Sequence, residues 1–200
     1  EDVWLKVGLR SYIRDGEALL REIKSINPNF KIFLDLKIHD IPNTMADAAE
    51  SMIGLGVDMF NVHASSGVKA MKMVMDRINT FANPPIVLAV TALTSFDNAS
   101  FEAIYKTPIK QKAVDFAKDA YISGLHGVVC SVYESLDIKA HTSNSFLTLT
   151  PGIRPFGESS NDQERVADLE TAKAEHSDFI VVGRPIYHNS DPLGIVKKII

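Results

Sequence analysis

Three observations predict an α/β protein and, within that class, a (β/α)8 TIM barrel. Short β-rich runs alternate with longer amphipathic stretches along the whole chain; there are seven such runs; and no glycine-rich dinucleotide fingerprint follows the early ones. The runs are "VWLKVG" (3–8), "FKIFLDLK" (30–37), "MFNVHA" (59–64), "PIVLAV" (85–90), "GVVC" (127–130), "SFLTLTPG" (145–152) and "FIVVGRP" (179–185). An open doubly wound sheet is the rival architecture, and the missing fingerprint removes the usual reason to prefer it. The chain opens at Glu1, without an initiator methionine, directly before an apolar strand. The first strand of the barrel is therefore expected to lie ahead of the residues given.

Each intervening stretch has its own helical signature. Residues 67–81 place Val68, Met71, Val74, Ile78 and Phe81 at three- and four-residue steps, one apolar face of a helix. Pro108 precedes "IKQKAVDFAKDAYIS" and Gly124 follows it, matching the proline-first, glycine-last asymmetry of helices, and Asp191-Pro192 opens a last helix in the same way. The segment "PFGESSNDQER" (155–165) is polar and rich in turn formers, which suits a connecting loop or a lid over a site. With no low-complexity tract and no linker, residues 1–200 read as a single domain.

Composition narrows the function classes. The chain has 200 residues, 46% hydrophobic and 23% charged, enough for one sizeable core. Its net charge of −4 and the absence of a basic block argue against nucleic acid or an anionic membrane as partner. No apolar run reaches the length of a membrane span, and the single cysteine, Cys130, excludes an internal disulfide; both favour a cytoplasmic protein with a packed thiol. The six histidines, His39, His63, His126, His141, His176 and His188, are scattered without zinc-site spacing, so no metal is expected. His63, in "NVHA", reads as a hydrogen-bonded structural histidine.

The string "FLDLKIHDIPNT" (33–44) carries three charges at the end of an apolar strand. Residues two apart in a strand point the same way, about 6.6 Å apart, so Phe33, Asp35 and Lys37 share a face opposite Leu34, Leu36 and Ile38. The charged face then looks into the barrel at the C-terminal ends of the strands, where barrel active sites are built. An ion pair that merely closes the mouth is one reading. The other is a site, because "WLKVG" brings a second lysine, Lys6, to the end of the neighbouring strand, and alternating lysines and carboxylates keep an ammonium charged and ready to donate a proton. At the far end of the chain, Gly183 and Arg184 in "VVGRP", "TPGIRP" (150–155) before them and Gln163 in the candidate lid form a candidate phosphate cup.

"LKVG", "FLDLKIHDIPNT", "VTALTS", "LTPGIRP" and "IVVGRP", in this order, resemble the orotidine 5'-monophosphate decarboxylase family in its compact bacterial form, across essentially the whole chain. The resemblance implies a (β/α)8 homodimer with no cofactor, acting on orotidine 5'-monophosphate. It implies that Lys37 protonates ring carbon six as carbon dioxide leaves, that Asp35 lies beside the substrate carboxylate, and that Lys6 contacts the ribose and holds Asp35. Asp40, Ile41 and Thr44 would reach into the partner subunit's site. Thr94 matches a pyrimidine contact, and Arg154, Gln163, Gly183 and Arg184 match the phosphate end. The family's ribose-binding aspartate lies on a strand ahead of "VWLKVG", outside the residues given.

Two other functions fit parts of this pattern. Magnesium-dependent sugar-phosphate decarboxylases of the same barrel group share the Asp-x-Lys-x-x-Asp strand but carry a carboxylate near the position of Lys6, where a metal is held. A non-catalytic nucleotide-binding barrel would keep the phosphate cup without needing Lys37 and both aspartates.

Overall fold

The computed structural model describes residues 3–157 and 165–200. These group into two compact units: residues 1–90 with 119–126, and residues 91–118 with 127–200.

The first unit alternates strand and helix: β1 (Trp4–Gly8), α1 (Leu9–Ile26), β2 (Lys31–Ile38), α2 (Pro42–Gly54), β3 (Met59–His63), α3 (Val68–Ile78) and β4 (Ile86–Val90). Its strands are parallel and neighbour one another in sequence order, β1-β2-β3-β4. That is the stepwise order of a barrel; a doubly wound sheet reverses direction partway. Ile32, Leu34, Met59, Phe60, Val62, Val87 and Leu88 are fully buried along these strands. Small residues on α2, Ala46 and Ala49, let it lie close against α3, whose Met71, Val74 and Ile78 are buried. The helix predicted over 67–81 ends at Ile78, because Asn79 closes its last turn, and Phe81 lies beyond it, partly exposed.

The second unit contains α4 (Asn98–Tyr105), most of α5 (Ile109–Ile122), β5 (Gly127–Val129), α6 (Val132–His141), β6 (Leu147–Thr150), α7 (Leu169–Ala174), β7 (Phe179–Ile180), α8 (Arg184–Tyr187) and α9 (Pro192–Ile199). β5, β6 and β7 are again parallel and consecutive. Strand pairing in β7 stops at Ile180, so Gly183 and Arg184, expected in the last strand, instead open the short helix α8. Cys130 is buried, and burial drives its thiol pKa well up: a packed, unreactive thiol.

The strand starts are wired alike in both units. Lys24 donates to the Phe30 carbonyl at 2.7 Å and to Asp58 at 3.0 Å, while Asp58, just before β3, accepts the Ile32 N–H at 2.9 Å. Lys139 donates to the Phe146 carbonyl at 3.1 Å and to Asp178 at 2.7 Å, while Asp178, just before β7, accepts the Thr148 N–H at 2.8 Å. Each aspartate also returns its own N–H, to the Ile32 and the Thr148 carbonyl respectively. His126, just before β5, closes a third such ring without a lysine, its Nδ1 accepting the Val87 N–H at 3.0 Å.

Candidate active site

The first unit gathers Lys6, Asp35 and Lys37 at the C-terminal ends of adjacent strands. β1 and β2 run in register, with Lys6 opposite Phe33 and Gly8 opposite Asp35. Lys6 Nζ lies 3.1 Å from Asp35 Oδ2, and Lys37 Nζ lies 2.6 Å from Asp35 Oδ1. One carboxylate is thus shared between two ammonium groups. A Cβ on Gly8 would stand 3.2 Å from Lys6 Nζ, so the glycine leaves that ammonium its room. Burial pushes the Asp35 carboxyl up, but the charges of Lys6 and Lys37, with hydrogen bonds from Lys37 and Asn61, outweigh it and hold the group below the ordinary carboxylate range.

The backbone that brings Asp35 and Lys37 together departs from simple alternation. The β2–β3 register runs Leu34 to Phe60 and then Ile38 to Val62, so Asp35, Leu36 and Lys37 lie opposite Asn61 alone. At this bulge Lys37 takes the left-handed conformation, φ 55°, which L-residues with a side chain adopt at a cost. Asn61 is fully buried; its Oδ1 accepts the Lys37 N–H at 2.7 Å and its Nδ2 donates to Asp35 Oδ1 at 2.8 Å. The sequence held a signal for this residue: a lone amide inside the apolar run "MFNVH", two positions before a histidine.

His63 ends β3 on the same side. Its Nδ1 pairs with the Ser65 hydroxyl at 2.7 Å, and its ring stacks on His39 with centroids 5.5 Å apart. It is hydrogen-bonded, as expected. Burial, then the nearby charges of His39 and Lys37, lower its pKa to about 4, so the ring stays neutral at physiological pH.

Asp40, Ile41 and Thr44 lie in the same unit where α2 begins, all exposed, with Ile41 67% accessible. Asp40 Oδ1 accepts the Ile41 N–H at 2.7 Å. Among the described residues, no three His, Cys, Asp or Glu side chains converge on a point that could hold a metal ion.

The second unit carries the remaining expected residues. Thr94 is buried, and its carbonyl accepts the Arg165 N–H. Arg154 is buried and follows Gly152, whose φ of 84° turns the chain after β6. Gly183 and Arg184 stand at the start of α8. Gln163 lies outside the described residues. A pair the sequence did not disclose lies beside Thr94: Arg165 binds Glu134 and the Ala92 and Leu93 carbonyls, and Glu134 accepts the Ser131 N–H.

The family model described as "Orotidine 5'-phosphate decarboxylase / HUMPS family" matches residues 1–199. An orotidine 5'-phosphate decarboxylase of Sulfurimonas denitrificans is 66% identical over 199 residues, spanning 100% of this chain and 88% of its own. One from Nitratiruptor is 64% identical over the same share of both. Among solved structures, orotidine 5'-phosphate decarboxylase from Lactobacillus acidophilus is 35% identical with a TM-score of 0.85, over 99% of this chain and 85% of that one. Its likeness fixes the fold as α/β, of the (β/α)8 barrel class. With its charged strand, its stepwise parallel order and these relatives, the chain belongs to the orotidine 5'-phosphate decarboxylase / HUMPS family.

Proposed function

We propose that this protein decarboxylates orotidine 5'-monophosphate to uridine 5'-monophosphate and carbon dioxide, the last step of pyrimidine nucleotide synthesis, without a cofactor. The observation that carries the reading is the Asp35 carboxylate held between Lys37 at 2.6 Å and Lys6 at 3.1 Å. Loss of carbon dioxide breaks the bond to ring carbon six and leaves its electron pair there, with no adjacent carbonyl to delocalise it. An ammonium fixed beside that carbon stabilises the charge and then quenches it by giving up a proton. Lys37 is that ammonium; Asp35 and Lys6 fix its position, and solvent restores its proton after product leaves.

Thr94 would face the pyrimidine, and Arg154, Gln163, Gly183 and Arg184 would hold the phosphate, whose binding energy helps organise the reacting end. Asp40, Ile41 and Thr44 would complete the site of a second subunit in a cytoplasmic homodimer; the exposed, apolar Ile41 beside Asp40 supports that role. A magnesium-dependent sugar-phosphate decarboxylase of the same barrel group is the second reading; such an enzyme would need a carboxylate near position 6, and the lysine there, bonded to Asp35, speaks against it.

The test is carbon dioxide release from orotidine 5'-monophosphate by the complete protein, with and without chelator. Full activity in chelator and none in Lys37→Ala is the expected result; no release by the parent protein overturns the reading. Mixing Lys37→Ala with Asp40→Asn should restore activity in hybrid dimers. Hybrids that stay inactive remove Asp40 from the partner's site.

A further inference from the structure

We propose that Asn61 is a positioning residue for the decarboxylation: it holds the left-handed turn at Lys37 and aims the Asp35 carboxylate, and so sets the geometry in which the Lys37 ammonium works. This inference rests on the function proposed above.

At the bulge, three residues of β2 face one residue of β3. The β3 side chain opposite them takes up the Lys37 N–H at 2.7 Å. A left-handed lysine persists only where its surroundings over-determine it, and Asn61 is fully buried on the fixed strand β3, so it supplies a rigid anchor. Its amide then does a second job. Nδ2 donates at 2.8 Å to Oδ1 of Asp35, the same oxygen that Lys37 Nζ meets at 2.6 Å. One side chain therefore fixes both the backbone of the lysine and the side chain of its counter-ion. Neither aspartate nor leucine could replace it fully: aspartate offers no donor to Asp35, and leucine offers neither bond.

Two variants separate these jobs. Asn61→Ala removes both bonds, while Asn61→Asp keeps an acceptor for the Lys37 N–H but sets a second carboxylate against Asp35. Misplacing a reacting group by about 1 Å can cost on the order of 100-fold in rate. Asn61→Ala is therefore expected to lower kcat about 10- to 100-fold with KM within about threefold of the parent, while uridine 5'-monophosphate still binds at full stoichiometry. In Asn61→Asp the paired carboxylates share a proton more readily, so kcat falls away at a higher pH than in the parent. A carbon NMR titration of the Asp35 carboxyl should move upward in both variants.

Unchanged kcat and an unmoved Asp35 titration would overturn the proposal. So would loss of kcat in strict parallel with lost nucleotide-binding capacity, since that marks a role in folding alone. A parent protein that releases no carbon dioxide overturns the proposed function instead, and the Asp35 titration still decides whether Asn61 governs that carboxylate.

Discussion

Lys37 Nζ and Asp35 Oδ1 lie 2.6 Å apart although the two residues stand in one strand with a single residue between them. In a regular strand residues two apart stand roughly 6.6 Å apart, a gap the long lysine side chain spans, and here the pair sits at the bulge where Lys37 is left-handed. Lys6 holds the carboxylate's other oxygen.

On the proposed function, Lys37→Ala should lose the proton donor and the charge that stabilises the carbanion together. Those two contributions are each worth on the order of 100-fold or more. A fall in kcat of about 10,000-fold or more is expected, read by carbon dioxide release, with the fold retained by circular dichroism. Asp35→Asn keeps the shape and removes the charge; it should cost about 100- to 1,000-fold.

His63 predicts an acid-sensitive term in stability. Its folded pKa is lowered to about 4 from an ordinary value of 6.5, so between those values the unfolded chain binds a proton that the folded chain refuses. The resulting stability is fully present above about pH 6.5 and is lost as pH falls towards 4. Thermal melts between pH 7 and 4.5 should show Tm falling less steeply in His63→Asn, whose amide oxygen can replace Nδ1 as acceptor. His126, also lowered by burial, adds a slope of the same sign.

The wired strand starts predict unequal costs. Lys139 is only 7% exposed, whereas Lys24 is 29% exposed and shares Asp58 with Lys31. Asp178→Ala leaves a buried ammonium with carbonyl partners but no counter-ion, and orphans the Thr148 N–H, for about 3–5 kcal/mol of stability. Asp58→Ala leaves lysines that water can reach, for about 1–2 kcal/mol. Urea titrations of the two variants measure the difference, and uridine 5'-monophosphate binding in the folded fraction should be unchanged in both.

Gly127 admits no side chain. A Cβ there would overlap the Leu147 carbonyl oxygen on the paired strand. Gly127→Ala must push β5 and β6 apart and should cost about 3 kcal/mol, visible as a lowered urea midpoint.

Much of this was legible in the sequence because it depends on local pattern. The seven strands, the proline-started helices and the convergence of Lys6 with Asp35 all follow from periodicity and from consecutive strands lying side by side. What escaped depends on register between strands. The left-handed turn at Lys37 exists only because β3 offers one residue against three, and Asn61 acquires its partners only through that mismatch. The early end of β7 before Gly183, and the end of α3 before Phe81, were hidden for related reasons: Val181 and Val182 continue the apolar run past the last paired residue, and Phe81 recurs three residues after Ile78, so hydrophobic pattern alone overruns both boundaries.

The rings at the strand starts imply a division of labour along each strand. Lys24 with Asp58 and Lys139 with Asp178 anchor one end, while Lys6, Asp35, Lys37 and Arg154 follow at or beyond the other. Stability and the proposed chemistry therefore rest on different residues: the anchors lie at strand starts and on the helices α1 and α6, and the candidate site residues lie on the strands or beyond their ends. On the proposed function, substitutions at the anchors should shift stability and leave turnover per folded molecule unchanged, while substitutions at Lys6, Asp35 or Lys37 should do the reverse.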